Sequence, residues 1–338
     1  MSQASFARHS LPNLETTIKV SDFMGNLEYN LSRPNRKRKS KASLKRGYQL
    51  LLMAVPLMLI VLLFNYMPLC GWIYAFFDYK PGVPLFQNDF VGLKYFRLFL
   101  TDPIDMMRVM KNTVVFALIG YALSPLPMVF AILLNEVRST RYKRLVQTVT
   151  TIPNFVSWII VFSLAFSIFS SDGLLNDLLR KLGLTKAPTM VMSDANSVYW
   201  FQTVLSQWKG LGWSAVIYLA AITGIEQDLY EAAAIDGANR FQSAIHITVP
   251  GLMPTFLVLF ILSIGNFVNV GFEQYFVFKN PATSVNIEVL DLYVYRIGMS
   301  NHDYSYGVAI GIMKSFISIV LIFIANKIAK KVRGTSII

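Results

Sequence analysis

The sequence predicts an all-α integral membrane protein: six transmembrane helices, with a polar helical loop between the fourth and the fifth. Three observations carry that expectation. Hydrophobic residues make up 54% of the 338 residues and charged residues only 15%, where a soluble protein carries about a quarter charged residues. Six apolar segments, at about 48–77, 110–135, 145–170, 198–223, 254–279 and 305–327, each supply the roughly twenty residues that cross a hydrocarbon core. These runs are continuous and not the ten-residue alternations of a barrel. That selects helices, since helices and closed barrels alone satisfy their own backbone in lipid.

Residues 1–46 read as a cytoplasmic basic tail. Its stretch "RPNRKRKSKASLKR" (33–46) holds eight Lys or Arg and no acid. A nucleic-acid reading suits any such cluster. The adjoining span makes this one a topological signal, which holds the first end on the cytoplasmic side, beside anionic membrane lipid. No nucleic-acid partner is expected. The first apolar run starts near residue 48, too late for a cleaved signal peptide, so it stays as an anchor. After it, residues 47–334 form the six-helix domain. The short basic loop "RSTRYKR" (138–144) falls inside; the loops at 78–109 and 171–197, mixed in charge, fall outside. "NKIAKKVRG" (326–334) then places the C-terminus inside. Cys70 stands alone, so no intrachain disulfide framework exists. His9, His246 and His302 make no ligand motif, and no metal site or bound cofactor is expected.

The loop at 226–250 breaks the positive-inside habit, being net acidic on the cytoplasmic side. "DLYE" (228–231) has the form of a capping box, and Ala232, Ala233 and Ala234 favour helix most strongly. Gly237 can take the left-handed conformation that ends a helix. A two-turn helix over 229–236 follows. "NRFQ" (239–242) repeats the capping signal for a second short helix reaching about Ile247, and Pro250 and Pro254 suit the start of the next span. Helices that lie on lipid favour Lys, Arg and bulky apolar residues. This unit has neither bias, and its small alanine face favours a protein partner.

The stretch "YEAAAIDGANRFQSAIHITVP" resembles the EAA loop of binding-protein-dependent ABC importer permeases. The family pattern is E-A-A, three residues, G, nine residues, I-x-L-P. Glu231, Ala232, Ala233, Gly237, Ile247 and Pro250 fall in register, with Asp236 before the glycine; Val249 stands where Leu is usual. Further stretches, "FVGLKYFRLFLTDP", "KNTVVF", "WKGLGWSAVIYLAAITGI" and "LDLYVYRIG", are similar to the sugar-permease subgroup. These are relatives of the maltose permeases MalF and MalG, with the LplB-like and alginate-type carriers of oligomeric carbohydrates among them. The basic tail lies outside that likeness. The resemblance implies a multi-pass permease of the bacterial inner membrane, coupled through its loop to a cytoplasmic ABC ATPase dimer. It also implies a second six-helix permease subunit and an extracytoplasmic solute-binding protein. ATP and Mg would be used by the ATPase, not by this chain, and alternating access would move carbohydrate inward.

The chain's own residues agree that it is not an enzyme. "GVAIGIMKS" (307–315) lacks the adjacent Gly-Lys of a phosphate-binding loop. Its Gly307 and Gly311 read instead as a close-packing helix face. Polar residues in or near spans are few: Asn65, Asn112, Asn154, Lys209, Asn266, Asn269 and Glu273. Lys209 reads either as a snorkelling or paired lysine or as a contact for an anionic sugar. Tyr66, Tyr121, Trp158, Trp213, Asn266 and Asn269 suit a sugar path, where rings stack on C–H faces and amides meet hydroxyls. Two alternatives stand beside this reading. One is an importer permease for peptides or amino acids. The other is an ion-coupled carrier without an ATPase, which would want intramembrane carboxylates.

Overall fold

The computed structural model describes residues 41–101, 104–185 and 187–333. Most of the basic tail expected over 1–46 lies outside the described residues. The chain falls into two units that divide between Leu69 and Cys70. In the first, α1 (Lys41–Val61) runs on through a π turn at Leu62–Tyr66. Every residue from Leu51 to Phe64 is apolar, the all-round pattern of a helix that faces lipid.

The second unit is predominantly helical among the described residues, with one isolated antiparallel bridge between Phe77 and Phe90. Its helices are α2 (Lys94–Thr101), α3 (Asp105–Ala122), α4 (Leu126–Asn135), α5 (Thr140–Thr151), α6 (Trp158–Phe169), α7 (Leu174–Lys181) and α8 (Val198–Ile222). There follow α9 (Gln227–Ile235), α10 (Arg240–Ser243), α11 (Val249–Gly265), α12 (Glu273–Phe278), α13 (Ser284–Ile287), α14 (Leu290–Tyr295) and α15 (Tyr304–Arg333). Five stretches among the described residues are long and apolar enough to cross a membrane: Leu51–Phe76, Asp105–Asn135, Trp158–Lys181, Arg240–Gly265 and Tyr304–Lys327. Helix α8 has 25 residues, about 37 Å at 1.5 Å per residue, so its length would also suffice. Gln202, Gln207 and Lys209 dilute its apolar character.

Three of the expected runs are broken, the segment 110–135 first, between α3 and α4 at 123–125. The segment 145–170 is two helices, because Pro153 sits in a tight turn at Ile152–Phe155 and proline offers no N–H to continue α5. Ser157 then starts α6 by accepting from the Ile160 N–H at 3.4 Å. The segment 254–279 is also displaced. Its helix continues directly from α10 through a π turn at Ala244–Thr248, so nothing separates the second short helix from the span. It stops at Gly265, where Asn266 and Phe267 bond back to Ser263 and Ile264. Gly271, at φ +111°, turns the chain into the separate α12 in a conformation that favours glycine.

Packing concentrates where these helices cross. Met128, Ala131, Ile132, Ala215, Tyr218, Ile222, Ala244 and Leu252 form one cluster that joins α4, α8 and α11. Helices α5 and α8 come close at Gly212, where an added Cβ would stand 2.7 Å from Thr151 N and nearer still to the Thr150 carbonyl. Helix α15 approaches its neighbour at Gly307, which faces Gly298, a Cβ there lying 3.1 Å from the Gly298 Cα. Gly311 does not share this role. An added Cβ would meet nothing within 4 Å, so the expected two-glycine face reduces to a single close contact. Lys314, on the same helix, is ion-paired with Asp291.

A buried ionic cluster holds α3 against residues 279–296. Glu288 has a side chain only 4% exposed. It accepts from Arg296 Nε at 2.8 Å, Arg108 Nη2 at 3.2 Å and Lys279 Nζ at 3.3 Å. Asp105 joins both arginines, at 2.9 Å to Arg108 and 3.3 Å to Arg296. Burial alone would lower the pKa of Arg296; bonding to Glu288 and then Asp105 outweighs it and holds the value above the ordinary one. Asn112 adds bonds to the Val285 and Glu288 carbonyls at 2.7 and 3.0 Å.

Candidate functional site

Helices α3, α4, α8 and α11, with residues 266–275, line an open cavity of about 440 Å³. Its walls carry the rings of Phe116, Tyr121, Tyr218, Phe256, Phe260, Phe267 and Tyr275, interleaved with Ser124, Thr203, Ser206, Gln207, Ser214, Ser263, Asn266 and Asn269. No charged residue lines it among the described residues. Tyr121 spans from α3 to α11, its hydroxyl donating to the Ser263 carbonyl at 2.9 Å. Its ring meets Phe260 edge-on at 5.7 Å. Asn266 and Asn269 stand just past the end of α11, with the Asn269 N–H bonded to the Asn266 carbonyl at 2.8 Å. Flat apolar faces beside amides and hydroxyls suit a ligand with apolar and polar faces of its own.

Of the residues expected on a sugar path, the structure brings Tyr121, Asn266 and Asn269 together on this cavity. Trp158, Trp213 and Lys209 lie elsewhere. Lys209 Nζ donates to the Asn154 carbonyl at 2.7 Å and sits 5.5 Å over the Trp158 ring, so the paired reading of this lysine is the one that its geometry fits. Trp213 meets Phe155 edge-on at 5.6 Å. Tyr66 belongs to the first unit, in its π turn. Sequence reasoning passed over Thr203, Gln207, Ser214 and Tyr218, although their spacing of four, seven and four residues marks one face of α8.

The polar loop is the second element. Helix α9 ends as expected: Gly237 has φ +80°, and the Ala238 and Gly237 N–H groups bond the Ala233 and Ala234 carbonyls at 2.9 and 3.2 Å. This is the paired closure that a left-handed glycine permits. Its start differs from expectation. Glu226 is the N-cap and makes no side-chain cap bond, so Asp228 lies inside the helix and the box at 228–231 does not form. At α10 the box does form: Asn239 accepts from the Gln242 N–H at 2.9 Å and Gln242 accepts from the Asn239 N–H at 2.8 Å. Between the two helices lies a hollow of about 300 Å³, lined by Ala233, Asp236, Gly237, Gln242, His246 and Ile247 among others. Glu231 and Ala232 are exposed on α9, and Pro250 opens α11.

Two large apolar residues stand out on this loop, Ile235 at 86% and Phe241 at 74% exposure. The unit is not loose. Tyr230 shares a hydrogen bond with Thr248 at 2.9 Å, and Arg240 reaches the Glu136 carbonyl at 3.3 Å. Ala244 and Leu252 pack in the cluster with α4 and α8.

Residues 123–334 match a family described as the binding-protein-dependent transport system inner membrane component. The chain belongs to that family. The match takes in this inner membrane component from the end of α3 onward, loop and most of the cavity included. Among its relatives is protein LplB of Bacillus subtilis, 41% identical over 295 residues, 86% of this chain and 91% of that one. Another is the Bacillus subtilis polygalacturonan/rhamnogalacturonan transport system permease protein YteP, 38% identical over 284 residues, 83% of this chain and 88% of that one. Among solved structures, it is similar to a bacterial ABC transporter involved in the import of the acidic polysaccharide alginate. That likeness has a TM-score of 0.77 at 29% identity and covers 86% of this chain and 98% of that one. As an inner membrane component, the chain is a permease subunit and not the catalytic member of its system. Among the described residues, no group of three His, Cys, Asp or Glu could hold a metal.

Proposed function

We propose that this chain forms half of the membrane pathway of an ATP-driven importer for oligomeric carbohydrate. The observation that carries the reading is the exposed α9–α10 unit, rigidly continuous with a helix that lines an uncharged, ring-rich cavity. In this reading the chain crosses the bacterial inner membrane six times, α8 joining the five long apolar stretches as the fourth crossing helix, with both termini cytoplasmic. The polar stripe of α8 is then the wall of the path, which explains why it is less apolar than its neighbours. Residues 1–46 are a basic cytoplasmic tail beside anionic headgroups.

Glu231, Ala232, Ala233, Asp236, Gly237, Ile247 and Pro250 belong to the surface on which a cytoplasmic ABC ATPase dimer docks. Ile235 and Phe241 supply apolar anchors there, since large exposed apolar residues at a polar end of a membrane protein suit burial in a partner. ATP binding closes the dimer and moves α9 and α10. Because α10 runs into α11 without a break, that motion reaches Phe256, Phe260 and Ser263 in the cavity wall. The cavity opens outward, a solute-binding protein delivers its sugar, and hydrolysis resets the inward-open state. A second six-helix subunit, different from this chain, completes the path. Sugar as cargo is supported by the names of the relatives and by the lining, which offers stacking faces and hydrogen bonds. No carboxylate lines the cavity among the described residues, which disfavours ion coupling.

Gentle extraction from the native membrane, followed by mass spectrometry, tests the assembly. An ATPase with its own phosphate-binding loop and a second permease chain should accompany this one; recovery of the chain alone through several detergents would refute the reading. Reconstituted with those partners, it should take up oligosaccharides and not peptides or amino acids.

A further inference from the structure

We infer that α5 carries a binding site for one anionic phospholipid, its phosphate held by Arg141 and Arg144 and an acyl chain lying along the helix toward Phe155. Helix α5 and the turn after it place Arg141, Arg144, Thr148, Thr151 and Phe155 three and four residues apart, which puts them on one side. The basic end and the apolar end each have a depression, of about 510 and 410 Å³, and Thr148 lines both. Val216 of α8 walls the apolar one. The hydroxyls of Thr150 and Thr151 turn back onto the Val146 and Gln147 carbonyls at 2.8 and 2.6 Å. Ile152 and Phe155, in the apolar depression, are 54% and 72% exposed.

Among the described residues, the two arginines have no anionic partner. The acceptors at the end of α4 have other partners: Lys143 donates to Asn135 at 2.9 Å, and Arg240 pairs with Glu136 at 3.9 Å. Neither Arg141 nor Arg144 makes an ion pair among the described residues. Both stand in the first half of a helix with no acid in its first turn, where cations oppose the helix dipole. A phosphate between them relieves both conditions, and guanidinium groups suit phosphate geometrically. The site lies between membrane-crossing stretches, so a headgroup with a chain attached is the anion at hand.

Native mass spectrometry of the purified chain, titrated with phosphatidylglycerol or phosphatidylcholine, is the test. Phosphatidylglycerol should bind preferentially. Arg141→Gln with Arg144→Gln should weaken it by roughly fivefold per arginine, about thirtyfold together. Arg180→Gln with Lys181→Gln, the same charge loss on α7, should not. Thr148→Trp, which fills the shared depression, should weaken binding with both arginines intact, and so decides the matter if the arginine pair fails to fold. Equal binding of phosphatidylcholine, an unaffected arginine pair, or full displacement by inorganic phosphate alone would overturn the site. In native membranes, a photocrosslinker at position 145 should capture lipid; capture of a neighbouring protein subunit instead would show that a partner occupies this face.

Discussion

Gly212 offers the sharpest test of the packing between α5 and α8. A Cβ at this position would stand 2.7 Å from Thr151 N, 0.7 Å short of the 3.4 Å at which ordinary contact begins. The obstacle is backbone, which cannot rotate away, so Gly212→Ala must part the helices by at least that amount. Forced overpacking of this kind costs about 1–3 kcal/mol. Alanine returns about 1 kcal/mol through its better helix propensity, which leaves a net loss of about 0–2 kcal/mol, toward the upper end because the obstacle is backbone. Gly210 supplies the control, since it lies in the same helix and a Cβ there meets nothing within 4 Å. Gly210→Ala gains the propensity and meets no obstacle. Thermal melting of both variants in one detergent should therefore move in opposite directions, Gly212→Ala down and Gly210→Ala level or up. If both variants melted at or above the parent, the close approach of α5 and α8 would be wrong.

Three further outcomes are expected. Gly237→Asp, at φ +80°, should weaken ATPase association and uncouple ATP hydrolysis from uptake while the melting temperature of the isolated chain moves little; normal coupling would refute the assigned loop. Glu288→Gln should destabilise the chain by about 1–3 kcal/mol, below the full cost of breaking a buried pair, because the cations around it are 30–32% exposed; denaturant titration in micelles reads this, and an unchanged midpoint would mean that the cluster holds nothing. Lys209→Met should cost about 1–2 kcal/mol through its bond to Asn154 yet leave uptake of acidic and neutral sugars in the same ratio; selective loss of acidic sugar uptake would place Lys209 on the path.

Sequence alone determined the membrane class, the helical architecture and the polar loop, because each is written in local composition. Twenty apolar residues leave a helix little choice in lipid, and Gly237 and the Asn239–Gln242 box are closures within a few residues. Asp228 shows where local reading stops: Glu226 and Asp228 both stand ahead of the alanine run, and only the surrounding chain decides which of them is the N-cap. Tertiary structure decided everything that needs two distant segments. Glu288 looks ordinary in sequence and becomes a hub only because α3 brings Arg108 to it across 180 positions. Trp158, Trp213 and Lys209 have the right chemistry for a sugar path, yet side-chain direction on a helix sets them apart from the cavity. Tyr121, Asn266 and Asn269 converge on it because α11 ends at Gly265, a break no apolar run announces. Gly307 packs where Gly311 does not, since closeness belongs to the neighbour and not to the glycine.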